Sequence, residues 1–360
     1  MPSLTHTYTF EQLKSLTDIT IVDFGEQALA EALTAELNAH SRAFNDMSGA
    51  LMETTTERIV SYGINQDSGE LVELDELSRT PTRGVEEGGG TFNLPLRRYG
   101  DALGWTRDYL RATTVGALAN QVQAIENKDI RTVFLAIRKA FFVPTNYTVR
   151  DFTVVGRDNL NIVRLLNGDS MPIPNGPEGA PFDSATHTHY LASATWTNAV
   201  VDDAIDTVRH HGHRGNIRVY INATNRANLA AITGTKYLPF QAPELTYGNS
   251  ATIATGVLNN DLPEDNREIG VWDGLYRVAT KPWVPAGYVF VYDTSGPKPL
   301  AMRVPEQTDL QGLRLVFQFD DYPLRADGYE HRFGVGVRQR TNGAITYVGG
   351  GSYAAPAGLS

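Results

Sequence analysis

Two short stretches, "THTHY" and "VRHHGHRG", hold His187, His189, His210, His211 and His213, five of the chain's eight histidines. Imidazole is a common ligand for transition metals near neutral pH. Two histidines two apart on an extended strand project to one face, which is a chelating spacing. His210 and His213 are three apart, but Gly212 between them is expected to end a helix. No acid stands at a zincin spacing, since the chain has no H-E-x-x-H. The plainer reading is a polar helix end, where histidine complements the macrodipole and bonds the last carbonyls.

Other chemistry is thinly represented. With no cysteine there are no disulfides, thiolate metal sites, iron–sulfur clusters or cysteine nucleophiles. The chain has no G-x-S-x-G elbow and no phosphate-binding G-x-x-x-x-G-K-[ST] loop. The acid pairs in "DDAID" and "FDDY" read as solvated faces. No residue is therefore assigned a catalytic, cofactor-binding or metal-binding role. The five histidines stay on the page only as the basis of a rival reading, a metal-dependent enzyme.

Composition narrows the class further. The 360 residues are 41% hydrophobic and 20% charged, as in an ordinary globular protein able to bury a core. A net charge of −10 argues against a surface built to grip nucleic-acid phosphates. No apolar run is long enough to span a membrane. The first residues, "MPSLTHTYTFEQLKSL", lack the basic and apolar regions of a signal peptide, so the cytoplasm is the expected address.

These residues must be positioned by the surrounding elements. Leu29, Leu33 and Leu37 repeat at four within an alanine- and glutamate-rich helix over 26–40. Residues 49–97 change character, with short alternating runs followed by a glycine-rich, acidic stretch that has no core of its own. Phe92, Tyr99, Trp105 and Tyr109 surround Arg97 and Arg98 there. Such a group is a weak signal for stacking on nucleic-acid bases and equally suits anchors of a subunit interface beside a loop, while Trp105 and Tyr109 read first as ordinary core residues. A proline-free run over 105–142 predicts one helix about 55 Å long, with Gly116 and "ENKD" at 126–129 as places to bend. Pro144 ends it. Val201, Ala204, Ile205 and Val208 mark an amphipathic helix that Thr197 or Asn198 can cap, with Gly212 or Gly215 at its end. Short strands fill the region from 267 onward, with turns at "DG", "VPAG" and "NG".

The order of elements is an N-terminal arm, an extended acidic loop, one very long helix, a mixed α/β region and late strands. This order resembles the HK97-like major capsid proteins of tailed double-stranded DNA bacteriophages. Local text agrees. "GVWDGLYRVATKPWVPAGYVFVYD" looks like the family's late segment, where a strand leads to P-x-V-P-x-G and a buried strand. "HRFGVGVRQRTNGAITYV" looks like its closing return strand, and "NIRVYINATNRANLAAI" like the strand and short helix that follow the A-domain helix.

The resemblance implies an α+β fold with an N-arm at 1–48 and an E-loop at 49–97. It implies a P-domain at 98–190 with its spine helix at 105–142, an A-domain at 191–300, P-domain return strands at 301–340, and an A-domain closing strand with the C-terminal tail at 341–360. It implies a structural subunit, not an enzyme, that assembles with itself into pentamers and hexamers around double-stranded DNA, without reading its sequence. Its place would be the virion capsid, assembled in the host bacterial cytoplasm. Glu86, Glu87, Phe92, Leu94, Arg97 and Arg98 would contact a neighbouring subunit. Some relatives join an E-loop lysine to a neighbour's asparagine, but no lysine lies between Lys14 and Lys128 here. The short segment before the E-loop implies a separate scaffolding protein, beside a portal and a possible decoration protein. An encapsulin, the shell of a bacterial cargo compartment, is the alternative within the same fold. A tail or other virion protein is a weaker one.

Overall fold

The computed structural model describes residues 9–49, 51–63, 73, 74, 76, 89–151, 159–177, 179, 181–240, 267–321 and 323–359. Helices Phe10–Ser15, Ile21–Phe24 and Glu26–Ser48 make up the N-terminal segment, where an arm is expected. Strand Met52–Thr55 follows, then the paired strands Ile59–Gly63 and Gly89–Asn93. Strand Arg97–Thr106 and helix Arg107–Ala112 lead to the long helix Val115–Phe142. Among the described residues no helix is long and apolar enough to cross a membrane.

The long helix is shorter than the sequence predicts, because Trp105 belongs to a strand. Thr106 ends that strand and caps the next helix, its Oγ1 accepting the Tyr109 N–H at 3.2 Å. Thr113 and Thr114 are both extended, and Thr114 caps Val115–Phe142 through the Ala117 N–H. Two adjacent β-branched residues with capping hydroxyls thus interrupt the expected helix. From Val115 it runs 28 residues, about 42 Å. It is continuous through both Gly116 and 126–129. Gly116 instead lets the N-terminal arm approach closely, since a Cβ there would lie 2.8 Å from the Lys14 carbonyl oxygen. The "ENKD" segment stays helical and buries Glu126 and Asp129.

Leu118, Val122, Ile125, Val133, Ile137 and Phe141 form the helix's buried stripe. Its end meets a seven-stranded sheet. In spatial order the strands are Tyr190–Ser193, Ala344–Val348, Tyr288–Asp293, Ile217–Ile221, Tyr276–Thr280, Glu268–Trp272 and Tyr237–Pro239. Strand Tyr288–Asp293 is buried at every position. Val289 and Val291 pack in the core shared with Val200, Val201, Ala204, Ile205 and Val208 of helix Ala199–Arg209. Tyr288, Phe290 and Tyr292 pack in the core shared with the long helix. There the Phe141 ring lies 4.3 Å from Phe290 and 5.7 Å from Trp283, and Phe142 lies 5.4 Å from Tyr288. Period-two alternation therefore feeds two cores from one strand.

A second sheet runs along the molecule. Strand Leu324–Val337 pairs with Leu300–Arg303, Arg314–Asp321 and Arg97–Thr106. Leu300–Arg303 in turn pairs in parallel with Met52–Thr55. The first half of Leu324–Val337 extends as a three-stranded ribbon, while Phe333, Val335 and Val337 enter the core around Phe141.

Because Phe141 joins the long helix to both sheets, truncating it should leave a cavity at their junction. Phe141→Ala is expected to lower unfolding stability by about 3–5 kcal/mol, read as a lower denaturant midpoint in equilibrium unfolding.

Candidate functional site

Four of the five histidines converge. His187 and His189 stand just before strand Tyr190–Ser193, and His210 and His211 at the end of helix Ala199–Arg209. Each of the four offers a ring nitrogen, and these atoms lie within 4.8 Å of one another. The Nε2 atoms of His187, His189 and His211 form a triangle with sides of 3.2, 2.9 and 3.0 Å. His213 stands apart, with its Nε2 2.9 Å from Thr341 Oγ1. The rings meet one another instead of turning back to the last helical carbonyls, which corrects the plainer reading. Gly212, at φ +89°, is the left-handed residue after the helix. Gly215 has another task, its N–H donating to Asp293 Oδ2 at 2.8 Å. Asn198 makes no side-chain cap, and its Nδ2 donates to the Gly234 carbonyl.

Surrounding groups hold the cluster. His189 is fully buried, and its Nδ1 donates to the Gly343 carbonyl at 2.6 Å. That bond sets the tautomer, so the Nε2 of His189 carries a lone pair. Asn342 braces this turn, exchanging hydrogen bonds with the Asp293 backbone at 2.8 and 2.9 Å. Phe182 covers the group, its ring centroid 4.8, 5.1 and 4.3 Å from those of His187, His210 and His211. Burial lowers the pKa of all four, that of His189 to about 3, so the rings are neutral at neutral pH. Among the described residues no carboxylate is hydrogen-bonded to these rings.

A second polar centre joins helix Glu26–Ser48 to the long helix and strand Leu324–Val337. Asp129 accepts from His40 Nε2 at 3.1 Å and from His331 Nδ1 at 2.8 Å. Burial alone would raise the Asp129 pKa, but the bonds from His331 and His40 outweigh it and hold the carboxyl low. The same bond raises the pKa of His40. One turn away, Glu126 has a buried Oε1 with no hydrogen-bond partner. Burial pushes its pKa up to about 7, with Glu36 and Asp129 adding to the rise and His40 and Lys14 opposing it. The sequence signal for this centre was an acid on the helix's apolar stripe, since Ile125, Asp129, Val133 and Ile137 repeat at four.

The expected interface residues separate into three groups. Phe92 and Leu94 are buried against Val60, Val163 and Ala301, so their side chains are enclosed within this chain. Arg97 and Arg98 are exposed, and Arg98 pairs with Glu330. Glu86 and Glu87 lie outside the described residues.

A surface not anticipated from the sequence lies on the three-stranded ribbon. In register, Phe317 is opposite Gly328 and Ala102, and Phe319 is opposite Ala326 and Gly104. Leu324 is opposite Asp321 and Thr106. Strand alternation places all of these on one face. The other face carries Leu103, Trp105 and Tyr329, which pack toward the N-terminal arm and the long helix. Phe317, Phe319 and Leu324 are 51%, 48% and 53% exposed. Two phenylalanines and a leucine thus project from a floor of glycine and alanine.

No protein-family model matches the chain, and no curated protein matches it. Solved structures do. A chain from Mycobacterium phage Patience matches with a TM-score of 0.66 at 21% identity, over 96% of this chain and 95% of that one. The cyanophage A-1(L) capsid asymmetric unit matches with a TM-score of 0.47 at 12% identity, over 85% and 93%. The holo-SrpI encapsulin complex from Synechococcus elongatus PCC 7942 matches with a TM-score of 0.43 at 10% identity, over 84% and 86%. The chain has the HK97-like α+β fold.

Glu126 makes a pH-dependent contribution with a defined sign. Its folded pKa lies above its ordinary 4.5, so the folded state holds the extra proton between about pH 4.5 and 7. That stability is complete below 4.5 and is lost as pH rises through 7. Relative to Glu126→Gln, the wild type should lose on the order of 1–3 kcal/mol across this interval. Denaturant unfolding of both proteins at pH 4.5 and pH 8 measures the difference.

Proposed function

We propose that this chain is the repeating subunit of a protein shell, and specifically a major capsid subunit of a tailed double-stranded DNA phage. The observation that carries the reading is the open face with Phe317, Phe319 and Leu324, displayed on an HK97-like fold. Contiguous exposed apolar surface on an ordered sheet marks a protein-binding face. A second copy of the same chain is the occupant we assign, and shell assembly supplies it at every position. Arg97 and Arg98, exposed at the base of the ribbon, add polar contacts at its rim. The fold-level match to a phage chain over nearly the full length of both supports a viral shell.

In this reading the subunits form pentamers and hexamers enclosing double-stranded DNA, and the role is structural, not catalytic. The net charge of −10 supports a container that does not trap its contents. A separate scaffolding protein, a portal and a decoration protein are the proposed partners. The virion capsid is the proposed place, reached by assembly in the host bacterial cytoplasm.

Replacing both phenylalanines tests the face. Phe317→Asp/Phe319→Asp is expected to abolish particle formation, with the subunit's own thermal transition close to that of the wild type. Size-exclusion chromatography and electron microscopy, with scaffold supplied, provide the readout. A double variant that assembles as the wild type does would remove the assignment. Particles filled with protein cargo instead of DNA would favour the encapsulin alternative.

A further inference from the structure

We propose that His187, His189, His210 and His211 bind one divalent transition-metal ion of the zinc class, as a structural clamp. The Nε2 atoms of His187, His189 and His211 form a triangle whose sides are 2.9–3.2 Å. In a neutral imidazole each ring nitrogen has one in-plane position, holding either a proton or a lone pair. Three nitrogens share two kinds of occupancy, so at least two must be alike. At least one side of the triangle therefore sets proton against proton or lone pair against lone pair. No hydrogen-bond scheme among these rings makes all three contacts favourable. A cation facing three lone pairs does.

The dimensions agree with such an ion. Nitrogens about 2.0–2.1 Å from a tetrahedral centre lie about 3.3 Å from one another, close to the observed sides. His189 already has the tautomer a ligand needs, because its Nδ1–H is held by the Gly343 carbonyl. A backbone carbonyl behind a ligating imidazole is a common supporting contact. His210 supplies the fourth candidate donor, within 4.8 Å of the others, and its buried Nε2 has no hydrogen-bond partner. Neutral imidazoles without carboxylate or thiolate suit zinc, copper or nickel and do not suit calcium or magnesium.

The location argues for structure over catalysis. Four protein ligands close a tetrahedral site and leave no position for a reacting water. Phe182 lies across three of the rings. An ion here would join the segment before Tyr190 to the end of helix Ala199–Arg209, with the Gly343 turn behind it. The inference concerns the single subunit and stands apart from the shell reading.

The test uses the full chain with no affinity tag, dialysed against chelator and then titrated with zinc. One zinc per chain and a thermal midpoint that rises with free zinc are expected. His187→Ala and His211→Ala should each lose the bound zinc and the zinc-dependent rise, while His213→Ala should keep both. Should the cluster variants fail to fold, cobalt(II) added to the wild type gives an independent reading. Intense visible bands of a four-coordinate nitrogen site are expected, displaced by zinc. Folded wild type that takes up no zinc overturns the proposal. So does zinc retained by both cluster variants, or a cobalt spectrum of the hexa-aquo ion.

Discussion

Phe141 and Phe142 end the long helix against Phe290 and Tyr288 of the seven-stranded sheet and against Trp283 in the turn that precedes Tyr288. This aromatic junction fixes the angle between helix and sheet, and other parts take their positions from it. Strand Leu324–Val337 enters the same core at Phe333, Val335 and Val337, so its outer half projects in a set direction. The open ribbon is that outer half. The direction in which the ribbon's apolar face points is thus set by packing at the far end of the same strand.

The histidine cluster lies beside the same junction. A Cβ on Gly343 would meet Phe290 and Leu165 at 3.4 Å, so the turn whose carbonyl holds His189 is packed against the aromatic core. The Asp129 centre plays a comparable part along the helix, fastening His40 of the arm and His331 of the return strand to one carboxylate. Removing one partner of such a buried pair leaves a charge without compensation, which costs far more than the intact pair contributes. Each polar centre therefore secures segments distant in sequence at a position that apolar packing has already defined.

Much of the fold was legible in the order of elements, since an arm, a loop, a long helix and late strands is a rare succession. Local competition was harder to read. Trp105 looked helical because nothing between it and Phe142 forbids a helix, yet strand pairing with Arg325 claims it. The capping hydroxyls of Thr106 and Thr114 stand in the sequence, but capping residues alone do not override proline-free continuity. Histidine spacing gave the pair at 187 and 189, but only tertiary structure brings it to 210 and 211 and turns 213 away. The apolar face is not legible in the sequence because "RLVFQFDD" alternates like any half-buried strand, and alternation does not reveal which face lacks a cover. Phe92 and Leu94, expected at an interface, are instead enclosed by their own chain, since a segment without a core of its own borrows one from Val60, Val163 and Ala301.

The central claim is that the ribbon's open face is where copies of this chain meet. Cryo-electron microscopy of particles assembled from the wild-type chain tests it most directly. The account predicts Phe317, Phe319 and Leu324 buried against a neighbouring copy at every equivalent position of the shell. Particles in which those three side chains face solvent would contradict it, as would a chain that stays monomeric with its scaffold present.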